Sequence, residues 1–233
     1  ETFVDDMGNT VGIIRGTGGP GAVNVMFNCH MDHVDPGRVE AWEYPPYGGV
    51  IDKGFIHGRG ASDVEGAIAG EIYALGLMKK LGLKTKGDLI MTGVVQEEPA
   101  ERFGMKYLMD VTFPKKGLRA DFVILGEATG LNVYLGHRGR AELEVQTIGR
   151  TSHGSAPWLG INAVYKMVPV IQKVQELDPK LPPHDFLGKA TIALTIISCS
   201  PGRLSIIPDL CTVSLDRRLL PSETAEDAVA QIQ

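Results

Sequence analysis

Nowhere do the 233 residues approach the roughly 18 consecutive apolar residues of a membrane-crossing helix, so no span of that kind is expected. Cysteine is scarce: Cys29, Cys199 and Cys211 are an odd set without CxxC spacing. That argues against a disulfide framework and for free thiols in a reducing compartment, by default the cytoplasm. Positive charge is in deficit, with 23 Lys and Arg against 28 Asp and Glu. The resulting net charge of -5 argues against a nucleic-acid surface. No signal-peptide pattern, internal repeat or low-complexity stretch is read in the chain. The first residue is Glu1 and the last four read as mid-helix, so both ends are expected to be cut.

What is present is ordinary for a folded chain: 43% hydrophobic and 22% charged residues, enough for a packed core. The length suits two small domains. Apolar runs at 11–14 and 23–28 predict strands joined by a Gly-rich turn, and 50–57 predicts a short hairpin. Apolar residues at helical spacing (Ile68, Ile72, Leu75, Met78) predict a helix over 64–81, closed by Gly82. Buried strands are expected at 89–95 and 122–125, with a short helix at 103–109 between them. Strands alternating with helices predict an α/β sheet covered on both faces.

Beyond Gly136 the pattern changes. Residues 141–148 alternate apolar and polar, a strand with one wet face. A helix at 161–176, alternating strands at 191–198 and 210–217, and a helix opening near Pro221 follow. This order predicts a smaller α+β two-layer domain, so the expected division is 1–136 and 137–233.

Four segments at the ends of the predicted strands carry acidic groups, where α/β sheets build their sites. In Cys29-His-Met-Asp32, His30 and Asp32 fall on one side of an extended chain, so the carboxylate can hold the second ring nitrogen of a metal-binding His30. Alone, this pair reads as a solvated His and a loop Asp. Asp63 precedes a helix, where an N-cap also explains it. Glu97 and Glu98 are adjacent carboxylates after an apolar strand, and burying both without a cation is unfavourable. Glu127 ends the next apolar strand. One imidazole with several carboxylates suits a pair of divalent ions such as zinc, with manganese or cobalt as substitutes. Two such ions can clamp and deprotonate a water.

His30-Met-Asp32, Gly60-Ala-Ser-Asp63, Glu97-Glu98 and Gly126-Glu127, taken in order, resemble the metal-site series of the zinc aminoacylase and carboxypeptidase family. That family includes acetylornithine deacetylase, succinyl-diaminopimelate desuccinylase and glutamate carboxypeptidases. The resemblance continues through Gly149-Arg-Thr-Ser-His153-Gly-Ser-Ala-Pro157 and Ile206-Ile-Pro-Asp209 to Asp216-Arg-Arg218. Within the family the chain resembles hydrolases linked to selenium metabolism. The resemblance implies a catalytic α/β domain, incomplete here, with a mixed sheet, and a smaller lid and dimerisation domain. It implies two zinc ions held by His30, Asp63 as the bridge, Glu98 and Glu127, with Asp32 orienting His30. Glu97 would be the general base, and the Asp63–Val64 peptide would be cis. His153 would stabilise the oxyanion in the partner subunit of a homodimer; on residues alone it reads as a surface His. Arg218 would pair with a substrate carboxylate, or else is a strand-edge charge.

The family's final His ligand follows its second domain, and His57, His137 and His184 do not sit in its motif, so that ligand is expected outside this sequence. Ser205 stands where relatives commonly carry Asn. The implied activity is metal-dependent hydrolysis of an amide in an N-acyl amino acid or short peptide. Alternatives are a ureido or carbamoyl amidohydrolase, a metal-free dimerising scaffold, and a structural domain whose acids are caps.

Overall fold

The computed structural model describes residues 1–99 and 102–232, so Ala100 and Glu101 of the predicted acidic segment lie outside the described residues, as does Gln233. The chain divides into two compact units, Glu1–Val133 and Tyr134–Gln233.

The first unit is built on a five-stranded mixed sheet. Its strands are β1 (Thr2–Val4), β2 (Thr10–Ile14), β3 (Val25–His30), β6 (Leu89–Val94) and β7 (Phe122–Leu125), in the order β1-β2-β6-β3-β7. The strands β2 and β3, predicted to be joined by a Gly-rich turn, are not neighbours, because β6 is inserted between them. A separate hairpin pairs β4 (Val50–Asp52) with β5 (Phe55–His57). Strands β3, β6 and β7 are parallel, and each connection between them carries helix. From β3 to β6 the chain passes through α1 (Gly66–Lys80). From β6 it returns across β3 to β7 through α2 (Phe103–Tyr107) and α3 (Phe113–Lys116). Winding that reverses direction, with right-handed crossovers, puts the helices on opposite faces. The side chains agree: on β6, Ile90 and Val94 pack with Leu108 and Phe113, whereas Leu89 and Met91 pack with Val64 and Leu75. Those alternate positions are the period-two signature of a strand buried on both faces.

Several expectations are corrected here. The helix predicted over 103–109 runs on through Leu108–Thr112 to Lys116, with Leu108, Thr112 and Phe113 buried under the sheet. Helix α1 ends as predicted, with the Gly82 and Leu83 N–H groups donating to the Lys79 and Met78 carbonyls, yet Ile72 is 55% exposed. Strand β7, expected to be buried, is exposed along its whole length; among the described residues it lies at the sheet edge and pairs with β3.

The second unit is a three-stranded antiparallel sheet, β8 (Gly139–Ile148), β10 (Leu210–Leu219) and β9 (Thr191–Ser200), in the order β8-β10-β9. Helices α4 (Ala163–Leu177) and α5 (Ala225–Ala230) cover one face. Along β8 the odd positions from Ala141 to Thr147 are half-buried while Glu142, Glu144 and Gln146 are exposed, the alternation expected from the sequence. Asn162 caps α4 through Oδ1, and Thr224 and Asp227 form a reciprocal capping box on α5. That helix closes at Ala230, and Gln231 and Ile232 follow in a turn.

Four carboxylates are anchored to donors that favour their charged form. Burial opposes the charge on Asp5, but Thr112, Asn9 and Met7 outweigh it; on Asp88, burial is outweighed by the Gly16 N–H and Arg15. The Ile192 N–H and Lys189 lower Asp178, and Thr224 lowers Asp227. A carboxylate with a depressed folded-state pKa contributes stability above its unfolded pKa, and that stability is lost as pH falls through the folded value. The thermal midpoint of each unit is therefore expected to drop as pH is lowered below about 4. A midpoint unchanged between pH 5 and 2 would contradict these anchors.

Candidate metal centre

Loops leaving the carboxyl ends of β3, β6 and β7, together with the entry to α1, bring His30, Asp63, Glu98 and Glu127 to one place, where an open parallel sheet forms its crevice. His30 is the last residue of β3, and its side chain is 2% exposed. Its Nδ1 lies 2.7 Å from the Asp32 carbonyl oxygen, and its Nε2 lies 2.9 Å from Asp63 Oδ1 and 3.8 Å from Glu127 Oε1. One ligand atom each from His30, Asp63 and Glu98 fall within 4.8 Å of one another.

Asp63 is not a helix cap. Residues Ala61–Glu65 form a kinked turn with non-helical backbone at Asp63 and Val64, the Asp63–Val64 peptide is cis, and Glu65 is the residue that precedes α1. The kink turns the Asp63 carboxylate toward His30 instead of toward the helix N–H groups. Asp32 divides its work differently from the expectation. Its main-chain carbonyl takes His30 Nδ1, while its carboxylate, 3.8 Å from that nitrogen, accepts the Glu97 and Glu98 N–H groups at 3.2 and 3.1 Å. Of the adjacent acids, Glu97 is exposed and Glu98 half-buried, so the two are not buried together as the sequence suggested.

The donor set fits a cation. A carbonyl beside Nδ1 requires a proton on that nitrogen, so in the neutral ring Nε2 is a lone pair facing the Asp63 carboxylate. Two acceptors at 2.9 Å need a positive charge to hold them, either a second ring proton or a metal ion. Burial opposes the protonated form of His30, yet the Asp32 carbonyl, Asp63, Glu127 and Glu97 together raise its pKa. Glu127 is also raised, first by burial and then by Asp63, Glu97 and Glu98, with His30 opposing. The crowding that opposes ionisation of Glu127 is relieved by a divalent ion.

Beneath the site the sequence reading missed Glu71. It projects from α1 between Ala67 and Leu75, an acid interrupting an apolar stripe, which was the available signal. Its carboxylate accepts the Cys29 thiol at 3.3 Å; burial first, then Glu71, pushes that thiol up to about 12. Cys29 is therefore a neutral donor at working pH. A Cβ on Gly126 would lie 2.3 Å from Cys29 Sγ, so glycine is required for the main chain to pass over this pair on its way to Glu127.

In the second unit, His153 is exposed and its Nδ1 accepts the Ser155 main-chain N–H at 3.2 Å. The neutral ring thus carries its proton on Nε2. Arg218 makes a fork to Asp216 through Nε (2.7 Å) and Nη2 (3.0 Å), leaving Nη1 outside that pair. Arg217, unremarked in the sequence, is wholly buried and bonds Glu223 and Gln231. His184 accepts the Phe186 and Leu187 N–H groups, His137 bonds the Arg138 carbonyl, and His57 packs on Tyr44.

Residues 135–233 match the family model of the M20 peptidase dimerisation domain. The uncharacterised protein YgeY of Escherichia coli K12 is 39% identical over 231 residues, covering 99% of this chain and 55% of that protein. Succinyl-diaminopimelate desuccinylase of Orientia tsutsugamushi strain Boryong is 25% identical over 235 residues, 97% of this chain and 60% of that protein. The chain thus spans little more than half the length of these relatives. A crystal structure of the M20 family metallo-carboxypeptidase Sso-CP2 from Sulfolobus solfataricus superposes on 100% of this chain and 65% of its own. The TM-score is 0.68 at 17% identity, a likeness of fold. A dimerisation-domain match over the second unit, a desuccinylase relative along nearly the whole length and a metallo-carboxypeptidase fold agree: this chain belongs to the M20 zinc aminoacylase and carboxypeptidase family.

Proposed function

We propose that this chain carries the metal centre and dimerisation unit of a two-metal hydrolase that cleaves an amide in an N-acyl amino acid or short peptide. The carrying observation is the gathering of His30 Nε2, 2.9 Å from Asp63 Oδ1, with a Glu98 ligand atom in the same cluster and Glu127 3.8 Å away, a donor set that fits a cation. His30, Asp63, Glu98 and Glu127 would hold the ions, with zinc assigned as the metal and Asp63 as the bridging carboxylate. Bound divalent ions supply Lewis acidity there, lowering the pKa of a water and polarising a carbonyl.

The protein's own groups do the rest. Glu97 stands exposed after β6 with its main-chain N–H bonded to Asp32, which leaves its carboxylate available for proton transfer. It is the general base: a carboxylate oxygen takes a proton from water and passes it to the leaving amine. Asp32 aligns His30 through its carbonyl and the Glu97-Glu98 main chain through its carboxylate. His153, whose Nδ1 accepts the Ser155 N–H and leaves Nε2 to donate, is assigned as donor to the oxyanion forming on the substrate carbonyl in the active site of the partner subunit. The end of the Arg218 guanidinium that Asp216 does not engage is assigned to a substrate carboxylate. Homodimerisation through the 134–233 unit is proposed from the dimerisation-domain match.

Elemental analysis of the intact protein, purified without chelators, tests the metal reading. About two zinc-like ions per chain are expected, and both should fall in His30→Ala. A protein as pure and folded that holds none would sink the assignment.

A further inference from the structure

Asn9 lies in the turn between β1 and β2 and is wholly buried, 0% exposed. Its side-chain amide works at both ends. Oδ1 accepts the Val95 N–H at 3.1 Å, and Nδ2 donates to the Gly104 carbonyl and to Asp5 Oδ2, each at 2.9 Å. Val95 is the first residue after β6, and Gly104 is the second residue of α2. One side chain, 86 and 95 residues away in sequence, therefore ties together both ends of the segment that carries Glu97 and Glu98.

The two ends meet closely. A Cβ on Gly104 would lie 1.9 Å from the Val95 carbonyl oxygen, so only glycine admits the approach. Immediately after Val95 the main chain turns through the left-handed region at Gln96 (φ 60) and presents the Glu97 and Glu98 N–H groups to Asp32. Asp5 fixes which way the Asn9 amide faces, since Asp5 Oδ2 accepts Asn9 Nδ2 and also Thr112 Oγ1, at 2.7 Å. The β1–β2 turn does not need this amide for its own closure. Main-chain bonds from Asp5 to the Asn9 carbonyl (2.9 Å) and from Gly8 to the Asp5 carbonyl (3.0 Å) already close it.

We infer that Asn9 is a positioning residue that sets the main chain of the Glu97-Glu98 segment against Asp32, so that Glu98 meets His30 and Asp63 and Glu97 stands beside them. The inference rests on the metal-site reading proposed above. The task requires a donor and an acceptor on one rigid plane. Asp offers no donor to the Gly104 carbonyl, and Ser has no planar group to span the two ends. A displacement of about 1 Å in such a segment costs on the order of 10²-fold in rate.

Asn9→Ala and Thr112→Val separate this role from plain stabilisation. Thr112→Val removes a bond from the same buried network while leaving both contacts to the segment. In the intact protein three quantities are compared: amide exchange at Glu97 and Glu98, zinc affinity by competition with a chromophoric chelator, and kcat against KM. Asn9→Ala is expected to speed exchange at both amides and weaken zinc binding by about tenfold or more, and to lower kcat by about 10²-fold with KM nearly unchanged. Thr112→Val is expected to leave all three near wild type. Equal effects in the two variants, or a folded Asn9→Ala with unchanged exchange, would overturn the inference. If the wild type binds no zinc, the metal reading fails, and the amide-exchange contrast still decides the role of Asn9. Asn9→Asp, which keeps the acceptor and loses the donor, and Asn9→Ser replace Asn9→Ala should it not fold. Failure of all three to fold would also overturn the inference, because Asn9 would then be holding the fold itself.

Discussion

Replacing Glu97 by Gln is expected to lower kcat by about 10²- to 10⁴-fold, or roughly 3–5 kcal/mol of transition-state stabilisation, with metal content unchanged. Gln keeps the size and polarity of the side chain but has no pair of electrons basic enough to take the proton from water. The fold should hardly notice, because the Glu97 side chain is exposed and the contact that fixes the segment is its main-chain N–H on Asp32. Metal content should hold because the clustered ligand atoms belong to His30, Asp63 and Glu98, not to Glu97. Single-turnover rates and elemental analysis of the same preparation give the answer. Surviving turnover would remove Glu97 from the role of base, and lost metal would make it a ligand.

Glu223→Ala is expected to lower the stability of the second unit by roughly 3–5 kcal/mol. Arg217 projects from β10 onto the face that carries Cys211, Val213 and Leu215, and its side chain is 0% exposed. Glu223, itself 9% exposed, meets it at 2.5 Å and accepts the Leu220 N–H through its other oxygen. Removing the acid leaves a buried guanidinium with Gln231 and the Arg218 carbonyl as its partners among the described residues. Its Nε already lacks a hydrogen bond among the described residues. Replacing both members, Arg217→Met with Glu223→Leu, should restore most of the loss, since a buried pair exchanged for apolar groups is close to neutral. Hydrogen exchange of the slowest β10 amides reads the opening free energy of this unit directly. A Glu223→Ala protein as protected as wild type would show that the buried pair contributes little.

Much of this was legible from residue order alone. Alternation placed the wet and dry faces of β8, and helical spacing placed α1 and α4 to within a few residues. Arg217 could have been placed too: it follows Val213 and Leu215 at period two, and only its charge argued against the inward face. The edge position of β7 was hidden, because an apolar run reads the same whether or not anything packs on it. Ile72 failed for the same reason: periodicity shows which residues share a stripe, not how wide a stripe the neighbouring strands cover.

By itself, the sequence determined the alternation of strands and helices, the second antiparallel unit, and acidic segments falling after β3, β6 and β7, with a fourth at the entry to α1. Those properties are local: period, capping and turn chemistry act within a few residues of each other. Tertiary structure alone decided how the segments face one another. His30 and Asp63 meet because a kink before α1 redirects one carboxylate, and Asp32 serves His30 by its carbonyl because its carboxylate is taken by two amides from after β6. Asn9 acquires its place only when β6 is inserted beside β2, which sets the β1–β2 turn against the start of α2. Hydrogen bonds across 33 to 95 residues depend on strand order and register, and no local pattern encodes those.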